Sequence, residues 1–569
     1  MSSIDWIVTL ATLGIIIVYG IWKSRKTKTL ETYLLADRSL PWYHVTLSVM
    51  ATQASAITFL SAPGQAYTDG MRFIQFYFGL PLATIILCVA FVPIFHKMKV
   101  FTAYQYLEER FDGKTRTLTA LLFLLQRGLS TGITIYAPAI VMSQILHISI
   151  NLTIVMNAIL VILYTVYGGT KAVSYTQLLQ MVVIFSGLFL AGYLVVHNLP
   201  NNIGLSEALD IAGIAGRTKV LDTQFDPANK FNLWSGLIGG LFLQLSYFGT
   251  DQSQVGRYLT GRSINESRLG LFVNGLVKIP MQFFILMLGA LVFSFYHFTQ
   301  PPVFFNEHAL EIVKSGHLKT NAELIQTQFN EINALRLEHA KGYIEAQRSA
   351  NSDVASVCKQ LIQQDNQQID TLRKQFVSLL KAEDPKADQN DSNFVFLYFV
   401  THELPKGVIG LLIAVIFLAA MGSTASGLNS LASSTMVDFV QKYRPTNQSE
   451  VAKVNTTRWL TVAWGLFCMC VAFYASKVGN LIEAVNVLGS LFYGVILGIF
   501  LTAFLFKKIK GTGVFYAALI SEVLVIGLWY FQVTAFLWLN LIGCVAVMLL
   551  AVVFELTANQ ALQPSKPLD

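Results

Sequence analysis

About thirteen long apolar spans run through this chain of 569 residues, at roughly 4–22, 44–67, 72–96, 118–145, 149–168, 173–197, 232–250, 268–297, 396–438, 457–476, 480–506, 512–532 and 534–556. Each is long enough to cross a hydrocarbon core of ~30 Å at ~1.5 Å per residue. In lipid every backbone polar group must be satisfied within its own segment. The predicted fold class is therefore all-α, a polytopic membrane helix bundle. Composition agrees: 13% of residues are charged, against the ~25% usual in soluble domains. The net charge of +7 does not imply nucleic acid, because the basic residues sit in short loops between spans.

Those loops set an orientation. Lys97, Lys99, Arg110, Lys114 and Arg116 share a side with Arg257, Arg262, Arg268, Lys442, Arg444, Lys453, Arg458, Lys507, Lys508 and Lys510. The positive-inside rule makes that side cytoplasmic. An odd number of spans then places the N-terminus outside and the C-terminus inside. The first span carries Asp5 before it and Lys23, Arg25, Lys26 and Lys28 after it, the reverse of a secretory signal, so it reads as a retained helix. Of the five cysteines, Cys88, Cys468, Cys470 and Cys544 lie in apolar spans and Cys358 stands in a polar loop. No disulfide framework is implied.

Residues 300–393 are different material. Pro301-Pro302 opens a stretch rich in Gln, Asn, Glu and Lys. Ile325, Phe329, Ile332 and Leu335, then Val354, Val357, Leu361, Ile369, Leu372, Phe376 and Leu379, recur at three- and four-residue spacing, the period of amphipathic helices. A two-helix hairpin on the extracytoplasmic face is expected, either an inert insertion or a docking surface for a protein partner. The chain thus divides into 1–43 (extra helix and basic loop), 44–299 (first core repeat and start of the second), 300–393 (insertion), 394–506 (rest of the second repeat) and 507–569 (terminal helices and cytoplasmic tail).

Chemistry concentrates in a few places. The span at 396–438 carries Ala420-Met421-Gly422-Ser423-Thr424. Positions 420, 423 and 424 fall on one helix face, offering a carbonyl and two hydroxyls, and hard cations take oxygen ligands. Lys278 lies too deep in its span to reach water comfortably, and an intramembrane ionisable group marks a functional site by default. Arg127 is the second such group. The spans hold no paired carboxylates, no nucleophile with a base and no His-rich cluster, so an enzyme is not expected. Two spans read as interrupted: 44–67 at Thr52, Gln53, Ser55, Thr58 and Ser61, and 232–250 where it decays into Ser246-Tyr247-Phe248-Gly249-Thr250-Asp251-Gln252. They open two successive five-span groups, and broken segments in matching positions of two halves point to a transporter's central site.

At these residues the chain resembles the sodium/solute symporter family, on the LeuT-type 5+5 inverted-repeat fold. The resemblance rests on Ala51-Thr52-Gln53-Ala54-Ser55-Ala56, Phe101-Thr102-Ala103-Tyr104-Gln105-Tyr106-Leu107-Glu108-Glu109-Arg110-Phe111, Tyr167-Gly168-Gly169-Thr170-Lys171-Ala172-Val173, Gln252-Ser253-Gln254-Val255-Gly256-Arg257-Tyr258 and Ser423-Thr424-Ala425-Ser426-Gly427-Leu428-Asn429-Ser430, in order along nearly the whole chain outside 300–393. It implies a sodium ion held by Ala51, Ala54, Ala420, Ser423 and Thr424. Some members hold a second sodium on an Asp and a further hydroxyl, and those positions here are Gln177 and Gly427, so a single sodium is expected.

The resemblance also implies a solute site lined by Gln53, Thr58, Tyr77, Gln244, Tyr247, Lys278 and Asn486. Tyr77 stands where sugar-transporting members have a carboxylate, and Ser130 where sialic-acid members have an arginine, with Arg127 one turn away as its substitute. The expected function is sodium-coupled import of a small polar solute by alternating access across the cell membrane, with a sugar or sugar acid favoured. A monocarboxylate or vitamin-like anion is the alternative. A third reading is a transporter-like sensor that binds solute without flux.

Overall fold

Asp112, Ser263 and Asn480 each stand just before an apolar run, and each caps a long helix. The Asp112 carboxylate accepts from Thr115 N at 2.8 Å to open Gly113–Leu146. Ser263 Oγ accepts from Glu266 N to open Ile264–Phe298, and Asn480 Oδ1 accepts from Ile482 N to open Leu481–Leu505. Such side chains satisfy the free N–H groups of a helix's first turn, and the apolar run then continues in the only conformation that closes its own hydrogen bonds in lipid. A computed structural model of the chain describes residues 1–24, 29–200, 202–385, 387–444, 449–477 and 479–561. Arg25, Lys26, Lys28 and the tail from 562 lie outside the described residues.

Among the described residues nine helices are long and apolar enough to cross a membrane, and a tenth candidate is the pair Trp42–Gln53 and Ala56–Asp69, bent by 60°. Two of the thirteen expected spans share the single segment Ile150–His197, which turns at Gly169 with φ 57°. A side chain there would meet the Tyr33 ring at 2.8 Å, so both the conformation and the space call for glycine. The expected spans at 232–250 and 457–476 correspond to Gly240–Thr250 and Glu450–Ala472, helices below the length or apolarity of the others.

One boundary is corrected. The span drawn at 396–438 is two helices, Val395–Glu403 and Val408–Ser434, separated by Leu404-Pro405-Lys406-Gly407 with Gly407 at φ 89°. The residue before a proline avoids helical angles and glycine supplies the positive φ, so the chain turns here before entering the membrane.

The insertion forms Glu307–Ser315 and a hairpin of Lys319–Arg348 with Ser352–Glu383. It carries its own small core, including Phe304, Val313, Phe329, Leu372, Phe376 and Leu380. The expected seam differs in part: Leu335, Val354 and Val357 are exposed, and Ala340, Tyr343, Ala355 and Ile362 are buried instead. Those residues join the core of the bundle. Arg336 Nη2 donates to Tyr296 O at 2.7 Å and Arg373 Nη2 to Asp391 Oδ2 at 2.5 Å, which fixes the hairpin to the helix before it and to the chain after it.

A further clamp joins the insertion to Val395–Glu403: His402 Nε2 lies 3.1 Å from Glu307 Oε1, with its ring stacked on Tyr398 at 4.0 Å. The Glu307 hydrogen bond raises the His402 pKa from 6.5, and the His402 hydrogen bond lowers that of Glu307 from 4.5. The raised histidine contributes fully below 6.5 and the lowered carboxylate fully above 4.5, so the clamp is tightest between those values. It is lost upward as His402 deprotonates and downward as Glu307 protonates. Both side chains are more than a third exposed, so the effect is modest. Amide exchange in 395–403, corrected for intrinsic rate, is expected to be faster at about pH 8.5 than at about pH 5.5. His402→Gln should remove that difference; an unchanged pH dependence in the variant would exclude the clamp.

Candidate functional site

The two breaks expected from sequence border the candidate site. In the first, Ala54 leaves the helical region at ψ 73° and Ser55 is extended at ψ 168°. In an unbroken helix Ser55 N–H would serve the Ala51 carbonyl and Thr58 N–H the Ala54 carbonyl. Here Ser55 N–H donates to Gln53 O and Thr58 N–H to Ser55 O, both at 2.9 Å. The carbonyls of Ala51 and Ala54 are thereby released from the usual ladder at a buried position, with 2% and 0% exposure. In the second, Asp251 breaks the path between Gly240–Thr250 and Gln252–Tyr258 at φ −77°, ψ 118°.

The Val408–Ser434 helix, which packs on both halves of the first broken pair, carries Ala420, Ser423 and Thr424, all buried. Ser423 Oγ donates to Ala419 O at 2.9 Å and approaches Ala420 O at 3.2 Å. Thr424 Oγ1 is buried with no hydrogen-bond partner among the described residues. An orphaned hydroxyl in a native interior calls for an explanation.

A cavity of about 110 Å³ opens beside the breaks. The structure brings all seven expected solute residues to its wall: Gln53 and Thr58 from the first broken pair, Tyr77 from the start of the next span, Gln244 and Tyr247 from the second, Lys278 from Ile264–Phe298 and Asn486 from Leu481–Leu505. Gln53, Gln244, Lys278 and Asn486 make no side-chain hydrogen bond to protein among the described residues. Three amides and a lysine amine are thus left available to a solute. Lys278 is 1% exposed, its Nζ 5.4 Å from the centre of the Tyr77 ring.

Sequence reasoning singled out Arg127 but missed the buried cluster it forms at this cavity. Arg127 and Tyr493 line it, and both meet the fully buried Asp251. Arg127 forms an ion pair with Asp251, Tyr493 Oη donates to the same carboxylate oxygen at 2.6 Å, and Ser253 N donates to the other at 2.7 Å. The Arg127 guanidinium also lies 5.5 Å from the centre of the Tyr247 ring. Arg127, expected to substitute for an arginine at Ser130, lines the cavity with Asp251 as its counter-ion, and Ser130 Oγ accepts from Gln126 Nε2 at 2.9 Å. The signal for Asp251 was available, since an acid at the end of an interrupted span meets the same rule that selected Lys278. Nothing in the sequence marked Tyr493.

Gln177, deeper in the bundle, is fully wired. Ser48 Oγ donates to its Oε1 at 2.6 Å, and its Nε2 donates to Gly422 O at 3.1 Å and Ser426 Oγ at 2.9 Å. Arg257 Nη2 donates to the same Ser426 Oγ at 2.9 Å. At Gly427 an added Cβ would lie 2.5 Å from Thr131 Oγ1.

The sequence profile of the sodium:solute symporter family matches residues 33–324 and 381–521. The chain belongs to that family. The unmatched gap falls within the insertion. Among curated relatives, the human sodium/iodide cotransporter is 31% identical over 43% of this chain and 38% of its own length. The rabbit (Oryctolagus cuniculus) sodium-dependent multivitamin transporter is 25% identical over 88% of the chain and 66% of its length. The sodium/sialic acid symporter NanT of Aliivibrio fischeri is 25% identical over 89% of the chain and 84% of its length. The chain therefore spans less than two thirds of the first two of these relatives. A solved structure of a Na+-coupled sialic acid symporter in a substrate-bound outward-open state superposes with a TM-score of 0.75 at 21% identity, over 100% of both chains. The fold is that LeuT-type architecture, with the insertion added between two of its spans.

Proposed function

We propose that the chain is a sodium-coupled symporter that imports a small polar organic solute by alternating access, with sugars and sugar acids the favoured class. The observation that carries this reading is the pairing of two adjacent features at the breaks: a buried oxygen face with an orphaned hydroxyl at Thr424, and a cavity in which Gln53, Gln244, Lys278 and Asn486 have no protein partner. Sodium sits on the carbonyls of Ala51, Ala54 and Ala420 and the hydroxyls of Ser423 and Thr424, tying the two halves of the broken span to the Val408–Ser434 helix. Solute enters against Tyr247, and each ligand raises the affinity of the other, typically by about 1–3 kcal/mol. The sialic acid symporters among the relatives support the sugar-acid side of the class. The protein lies in the cell membrane with its N-terminus and insertion outside and its C-terminus in the cytoplasm.

One sodium accompanies each solute. The Gln177 amide and Arg257 guanidinium already occupy the Ser426 hydroxyl, and Gln177 also takes the Gly422 carbonyl. A second cation there would leave water for a place that already holds a guanidinium, and burying an uncompensated charge costs several kcal/mol.

The test is a thermal-shift screen of sugars, sugar acids, carboxylates and vitamins, each in sodium and in potassium, followed by uptake of the hit into proteoliposomes. Binding raises the melting temperature by mass action. Sodium-dependent hits with accumulation support the symporter; saturable binding without accumulation would make the protein a sensor. Ser423→Ala and Thr424→Ala each remove one oxygen from the ion, a contact of about 0.5–1.5 kcal/mol. Each should raise the sodium concentration for half-maximal uptake several-fold, and unchanged sodium dependence in both at normal expression would end the assignment.

A further inference from the structure

The ionisable groups around the cavity are not all paired. Among the described residues two of its lining side chains are ionic, Arg127 and Lys278. Arg127 is balanced by Asp251, whose carboxylate is held by Tyr493 and the Ser253 amide as well. Lys278 has no such partner. It is buried, makes no ion pair or hydrogen bond among the described residues, and its recorded companion is the ring of Tyr77, a neutral group. Glu483, one residue beyond the cavity-lining Ile482, is paired with Lys230. The remaining polar groups on the wall that lack a hydrogen-bond partner among the described residues, the amides of Gln53, Gln244 and Asn486 and the hydroxyls of Ser55 and Tyr77, are uncharged. The cavity therefore holds one basic side chain without a counter-charge.

A buried ammonium is tolerated when it is paired. A carboxylate brought by the solute supplies the missing partner, and charge-assisted hydrogen bonds of that kind are about twice as strong as neutral ones. A neutral solute leaves the ammonium as it was. We infer that the transported solute is a monoanion whose carboxylate pairs with Lys278, and that its symport with one sodium moves no net charge. The amides of Gln53, Gln244 and Asn486 then serve the solute's hydroxyl or carbonyl groups, and Arg127 stays with Asp251. This rests on the symporter reading above and divides its favoured class, selecting sugar acids and small monocarboxylates over neutral sugars.

The test uses the purified full-length chain and matched probes that differ only in charge: glucose with glucuronate, galactose with galacturonate, and N-acetylneuraminate and lactate with their methyl esters. Sodium-dependent thermal stabilisation is expected from an anion and not from its neutral counterpart. Lys278→Gln should weaken the anion at least about thirtyfold, as loss of one member of a buried charge pair does. Sodium alone should still stabilise the variant, which shows that it is folded, and Lys278→Arg should recover part of the anion's effect. In proteoliposomes, uptake of the anion should be indifferent to a potassium/valinomycin potential. A neutral probe that binds as well as its anion, full anion affinity in Lys278→Gln, or uptake accelerated by an inside-negative potential would overturn the inference while leaving sodium coupling in place. Loss of sodium dependence in the parent protein would instead remove the symporter reading itself.

Discussion

Replacing Asp251 with alanine is expected to lower the stability of the detergent-solubilised protein by about 3–5 kcal/mol, the range for breaking a buried ion pair from one side. Asp251 is 1% exposed and sits at the break of the second interrupted span, where its carboxylate meets Arg127, Tyr493 Oη and the Ser253 amide. Without it the guanidinium keeps its charge and loses its counter-ion, and the Gln252–Tyr258 helix loses its N-cap. Removing both charges together, as Arg127→Met with Asp251→Leu, should restore much of the melting temperature, because an apolar pair of similar volume is often as stable as a buried ion pair. Transport should stay lost in the double variant, since the floor of the cavity has changed. An Asp251→Ala protein that melts with the parent would refute the pairing.

The second large effect is expected from Gly64→Ala. A Cβ at Gly64 would stand 1.7 Å from the backbone oxygen of Ser392. That segment cannot easily retreat. Ser392 N donates to Asn390 Oδ1 at 2.9 Å, Ser61 Oγ donates to Asn393 Oδ1 at 2.7 Å, and Asn393 Nδ2 donates to Gly479 O at 3.1 Å. Overpacking a tight contact costs about 1–3 kcal/mol and more where backbone must move, so the variant should fall at or above the top of that range. Gly14→Ala is the matched control, for an added Cβ there has nothing within 4 Å. It should melt within about half a kcal/mol of the parent, as surface changes do. Equal melting temperatures for the two variants would show that the outer half of the broken span is not packed against Ser392.

What sequence conveyed and what it concealed follow from the range of the forces involved. Helices in lipid are declared locally, by some twenty apolar residues and a capping side chain, so the spans and both breaks could be placed from the sequence. The error at 396–438 came from reading through His402-Glu403-Leu404-Pro405-Lys406, a polar run with a proline that a stricter reading of the same rule would have split. The hairpin seam was half legible, because Val354 and Ala355 both fit an amphipathic period and only tertiary packing decides which turns inward. The Arg127–Asp251–Tyr493 cluster joins three separate elements, and no local pattern encodes such a meeting. The same is true of the hydrogen bonds that engage Gln177 and Arg257 at Ser426. The sequence named Gln177 as a missing ligand; the fold adds a guanidinium at the same hydroxyl. It also alters how a second site could be installed. Gln177→Asp with Gly427→Ser would press the new side chain on Thr131, so Thr131→Ala must accompany the pair.

Coupling by one sodium held on neutral oxygens at the first break has a direct test. Equilibrium binding of radioactive sodium to the purified protein measures both the number and the place. One saturable sodium per chain is expected, with affinity falling in Ser423→Ala and Thr424→Ala and saturable binding lost when both hydroxyls are removed together. Two saturable sodium ions per chain, or binding unchanged in the double variant, would contradict it.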